Sequence, residues 1–155
     1  MGMRFSLIGL LISAVILLPN LLMIFVPPVG MPQGIRDGHI ALTIAENLGR
    51  AAVFVILILF SGNKIAEARV DVWLTLICVC AAVYYGLWIR YAVGGGDFSL
   101  LFSPLWGIPV PMAVFPAVVF LLAAVWMRSL PLGIAAGVFG VAHVIISLRT
   151  WASIR

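Results

Sequence analysis

Charge is what this chain has least of. Only 9% of its 155 residues are Asp, Glu, Lys or Arg, 65% are hydrophobic, and the mean hydropathy is +1.26. A soluble domain carries about 25% charged and about 45–50% apolar residues. So few charges cannot cover a water-facing surface, which excludes an ordinary soluble globule and assigns the chain to the integral membrane proteins. Acidic residues are scarcest, five against nine basic, and the resulting +4 is scattered along the chain. Without a basic cluster a nucleic-acid partner is excluded, whereas scattered Lys and Arg suit loops facing anionic lipid headgroups. Cysteine is nearly absent. Cys78 and Cys80 lie two apart in an apolar run, on almost opposite faces of a helix, so neither a disulfide nor a metal pair is expected. Two histidines, His39 and His143, belong to no metal motif, and "GGGD" at 94–97 lacks the Lys and Ser/Thr of a phosphate loop. No cofactor is expected. No internal repeat appears either.

What is abundant is long apolar sequence. A span needs about 20 predominantly apolar residues, and five segments qualify: 5–26, 40–61, 72–93, 111–128 and 130–151. The expected fold is therefore all-α, a single integral membrane bundle of five transmembrane helices over residues 1–155. The "RSLP" connection makes the last two helices antiparallel neighbours. Pro27 and Pro28 end the first helix, while Pro111 and Pro131 suit first turns. Pro19 and Pro116 fall inside their spans and should kink helices one and four, freeing the carbonyls of Val15 and Met112. The opening "MGMRFSLIGLLISAVILL" resembles a signal peptide, but its apolar run continues to Val26 without a small-residue cleavage pattern, so a retained span is expected. "MGMRFS" also fits a myristoylation pattern, redundant beside a helix.

Orientation is nearly balanced. One side carries Arg4, Lys64, Arg69 and Arg128, and the other Arg36, Arg90, Arg149 and Arg155. Early spans dominate orientation, which places the N-terminus in the cytoplasm of a multi-pass cell-membrane protein.

The exception to the apolar pattern is "ENLGR", residues 46–50. Glu46 and Arg50 are neighbours at i, i+4, flanked by Thr43 and Asn47, and Arg50 lies about 15 Å along the helix. An isolated charge at that depth costs at least about 2.5–3.5 kcal/mol. Pairing inside the bundle lowers that cost, and Gly49 lets a neighbouring helix come close. Asn20, His143 and Ser147 are expected on the same membrane side, with Ala136, Gly140, His143 and Ser147 forming a narrow stripe suited to close helix contact. Tyr85, Trp88 and Arg90 close the third span near that side. An aromatic belt with snorkelling arginine is the simpler reading of those three, and a ligand slot is the alternative. The loop "GGGDFSLLFSPLWGIPVP" reads as an interfacial connector folded towards the bundle, or as a lid with Asp97 at its rim.

These residues define a candidate site. Glu46 and His143 are its acid/base groups, and Asn20, Asn47, Arg50, Tyr85, Trp88, Arg90 and Ser147 are its ligand-binding groups. Its expected occupant is a small amphipathic or lipid-like molecule drawn from the membrane, to be bound or chemically processed. Whether the protein is an enzyme is left open by the sequence. A proton-coupled transporter, as a homo-oligomer, and an accessory or structural subunit are the alternatives. No nucleophile–base pair or metal cluster points to hydrolysis.

Overall fold

The computed structural model describes residues 5–32, 40–60 and 70–155. Arg4, Arg36, His39, Lys64 and Arg69, which bear on orientation and metal binding, lie outside the described residues, as does the "MGMR" start. Five helices make up the described chain: α1 (Leu7–Phe25), α2 (Ile40–Leu59), α3 (Val72–Val93), α4 (Pro111–Trp126) and α5 (Leu130–Ser153). Among the described residues there is no strand, only the isolated bridges Val29–Asp97 and Leu105–Ile108. Four of the helices are long and apolar enough to cross a membrane, and α4 is a shorter apolar helix of 16 residues.

Local chemistry explains where the helices begin. Ser6 Oγ accepts from the Gly9 amide at 3.1 Å. Asp71 accepts from Trp73 and Leu74 at 3.0 and 3.1 Å, and Ser129 Oγ accepts from Leu132 at 3.4 Å. Each cap satisfies amides that the first turn leaves without an intrahelical acceptor. Pro111 and Pro131 occupy first turns, where a missing N–H costs nothing. Two ends differ from expectation. Helix α4 stops at Trp126 rather than Arg128, because the chain turns through Arg128 at φ +50° to reach the Ser129 cap, and α5 continues to Ser153.

The two internal prolines behave differently. At Pro19 the α-geometry of α1 gives way to a 3₁₀ turn, Leu18–Leu21. Proline has no amide hydrogen for the Val15 carbonyl, and the Tyr85 hydroxyl of α3 donates to that oxygen at 2.9 Å. Pro116 is buried within α4, which keeps its helical assignment on both sides.

Helix α2 packs most extensively on α5; α5 packs on α4, α4 on α3, and α2 on α1. Tyr85 and Tyr91 of α3 reach back to α1, the latter donating to Val26 O at 2.9 Å. The helices thus run α1–α2–α5–α4–α3 around the bundle. Glycine sets three of the contacts. A Cβ on Gly9 would stand 1.9 Å from Leu57 O, one on Gly49 would stand 2.8 Å from Phe139 N, and one on Gly140 would stand 2.9 Å from Ala117 Cβ. The small-residue stripe of α5 therefore packs on α4 through Gly140, while α2 seats against α5 at Phe139 and His143.

The third loop folds onto the end of α1. Val29 N donates to Gly96 O at 2.8 Å and Phe98 N to Val29 O at 3.0 Å. Asp97 caps the 3₁₀ turn Phe98–Leu101 by accepting from Ser99 N at 2.8 Å. Gly96 is required there: its φ is +79°, and a Cβ would meet Pro27 O at 2.7 Å.

Candidate functional site

The site forms where α2 and α5 lie closest. Gly49 permits that approach, so Glu46, one turn earlier on α2, reaches across the seam to α5. The His143 ring nitrogen Nδ1 and Glu46 Oε1 are 2.9 Å apart. Arg50 Nη2 donates to the same Oε1. A carboxylate oxygen already receiving a guanidinium N–H is an acceptor, so Nδ1 carries the hydrogen and donates it. In the neutral form of the ring, Nε2 is then the basic nitrogen. Glu46 is buried, at 9% relative exposure.

Phe139 forms the floor. Its ring stacks on His143 at 5.1 Å and 16°, and the Arg50 guanidinium carbon lies 5.7 Å from its centroid. Behind it run Phe120, 5.9 Å away, and Phe54, a further 5.7 Å on. The imidazole is therefore held on one face by an aromatic ring and at one edge by a carboxylate. Phe139 was not picked out from the sequence, although its spacing of four from His143 on α5 places the two rings on one face.

The structure joins only part of the expected set. Glu46, Arg50 and His143 come together. Ser147 is buried one turn beyond His143 on α5. Asn47 is exposed on α2, with no side-chain hydrogen bond among the described residues. Asn20 turns its amide nitrogen onto its own helix, donating to Ile16 O at 3.2 Å and Leu17 O at 3.3 Å. Tyr85 is occupied by the Val15 carbonyl. Trp88 belongs to a second aromatic row, edge-on to Tyr84 at 6.3 Å and to Tyr91 at 5.6 Å. Arg90 stands by the third loop, donating from Nη2 to Ser103 at 2.8 Å. Trp88 Nε1 and Arg90 Nη1 are buried without an acceptor among the described residues. The described residues include no group of three or more His, Cys, Asp or Glu able to hold a metal.

No protein-family model matches the chain, and no curated protein or solved structure matches it. The chemistry of the site therefore rests on geometry. A carboxylate that orients an imidazole while an arginine balances its charge can hold a polar head group and move a proton at His143 Nε2. The two cysteines, Cys78 and Cys80, lie on α3 and not on either helix of the seam.

Proposed function

We propose that the chain is a small multi-pass membrane protein that binds a small amphipathic, lipid-like molecule at Glu46, Arg50 and His143, and exchanges a proton with it there. The observation that carries this reading is the shared Oε1 of Glu46, which receives both Arg50 and His143 across the α2–α5 seam. Ionisable groups inside a bilayer are costly, so those retained there serve a site or a lock. Glu46 is the orienting group, holding the Nδ1–H tautomer, and His143 Nε2 is the proton acceptor, a division of labour familiar from carboxylate–imidazole pairs. All five helices span the bilayer in this reading, with the shorter α4 sheltered among α3 and α5.

The experiment is Glu46→Gln in purified protein, with co-purifying small molecules read by mass spectrometry and folding by circular dichroism. Loss of a retained amphiphile from a folded variant supports the reading. Full retention removes Glu46 from the mechanism.

One observation favours a second reading, that of a structural or accessory subunit. The same bonds fasten α2 to α5 across the most extensive helix contact. Removing one partner of a buried charge pair costs about 3–5 kcal/mol. Under this reading Glu46→Gln lowers abundance in the membrane and no ligand is present in the wild type.

A further inference from the structure

We propose that the site opens sideways between α1 and α2, and that its occupant is a long-chain carboxylic acid that enters with its own proton. This rests on the amphiphile reading above and adds its route and head-group chemistry.

The opening follows from side chains that face inward and are nevertheless accessible. On α1, Gly9, Ile12, Ser13, Ile16 and Pro19 are buried along one face. Asn20 follows Ile16 by four residues and continues that face, yet it is exposed. On α2 the buried face is Glu46, Gly49, Val53 and Leu57. Arg50 borders it, but its side chain keeps 43% of its accessible surface, and that of His143 keeps 26%. The contacts of α1 explain why. At its start it touches α2, with Ser6 N donating to Ile58 O at 2.7 Å and Gly9 against Leu57 O. Further along, its carbonyls at Val15 and Val26 are held by α3. Helix α1 thus leans from α2 towards α3, and among the described residues the level of Asn20, Asn47 and Arg50 is left open.

The donors there select the head group. Arg50 has five N–H donors, of which Glu46 receives one. Asn47 adds an unused amide. A surplus of donors calls for an acceptor-rich head, and Arg matches a carboxylate with two parallel bonds. Charge then distinguishes an acid from a permanent anion. Glu46 and Arg50 cancel, and neither α1 nor α4 contributes any ionisable residue, while α5 adds only Arg149 besides His143. A permanent anion would leave a net negative charge inside the bilayer. A neutral acid instead transfers its proton: the O–H bond breaks, an N–H bond forms at His143 Nε2, and the carboxylate rests against Arg50 and Asn47. Two anions and two cations then sum to zero. The alkyl tail lies in the gap between α1 and α2, and the α1 turn at Pro19 sits at its edge.

The test uses the full chain in nanodiscs of zwitterionic lipid, titrated separately with palmitic acid, hexadecanol and phosphatidylglycerol, with bound ligand counted by native mass spectrometry. Palmitic acid should be held at least about tenfold more tightly than hexadecanol. Its addition should also move the His143 nitrogen NMR signals to the imidazolium position. Asn47→Leu, at an exposed side chain without a hydrogen bond among the described residues, should weaken palmitic acid about tenfold and leave hexadecanol unchanged. Equal retention of acid and alcohol, or phosphatidylglycerol displacing the acid, overturns the head-group assignment while leaving amphiphile binding intact. Failure of all three to bind overturns that reading as well.

Discussion

At the scale of the residue, the decisive feature is one carboxylate oxygen with two donors. Neither Arg50 nor His143 alone would justify an acid inside an apolar bundle; together they pair its charge and fix the imidazole tautomer. Arg50 was within reach of sequence reasoning, because i, i+4 spacing on a helix brings side chains together. The His143 contact was not, since 97 residues separate it from Glu46 and only the packing of α2 on α5 determines which turns meet. Asn20 shows the opposite outcome. Its type and depth suggested membership of the site, but a side chain beside a 3₁₀ turn finds backbone carbonyls of its own. Tyr85, named among the ligand-binding groups with an aromatic belt as the simpler reading, donates to the Val15 carbonyl that Pro19 leaves without an amide partner. Tyr85→Phe should therefore destabilise the fold by about 1 kcal/mol, the net worth of a hydrogen bond, measured by chemical unfolding in detergent. An unchanged midpoint would mean that water or lipid serves the Val15 carbonyl equally well.

At the scale of the element, helix spacing depends on three glycines whose neighbours are rigid. The Gly49 contact is with Phe139 backbone atoms, at 2.8 and 2.9 Å from an added Cβ, and backbone cannot rotate away. Gly49→Val should push α2 from α5 and break the Glu46–His143 bond, costing the fold about 1–3 kcal/mol as overpacking does. The check is twofold: a lowered unfolding midpoint and loss of the His143 signal shift on ligand addition. Gly9→Ala should act more severely, because its Cβ would overlap Leu57 O at 1.9 Å; membrane abundance of the variant, measured against wild type, reports it. Gly137 has nothing within 4 Å of an added Cβ. Gly137→Ala should accordingly be neutral or slightly stabilising, since Ala is the better helix former. The positions of helix starts were open to sequence reasoning because caps are local chemistry. The ends were less so, as the early stop of α4 shows.

At the scale of the whole molecule, the five-span reading proposed above puts the two termini on opposite faces of the membrane. Reporter fusions at the N-terminus and within residues 61–69 should signal from one face, and fusions at the C-terminus and at Gly95 from the other. The same face for both termini would mean that α4, at 16 residues, lies within the bundle without crossing. The third loop is packed onto α1 by backbone bonds through Val29, which fits the connector expected from its apolar composition better than a lid. Asp97 spends its carboxylate on the turn that follows it.

Composition and period alone determined that this chain forms long apolar helices, because so few charges leave no other way to satisfy the backbone away from water. They also marked the second helix as the one that carries an acid at depth. The tertiary structure decided which residues meet that acid. Contact between α2 and α5 depends on where glycine lets two backbones approach, and α1 leans away because a proline and two tyrosine hydroxyls draw it to α3. Such choices are made by shape complementarity between distant segments, which no local pattern encodes.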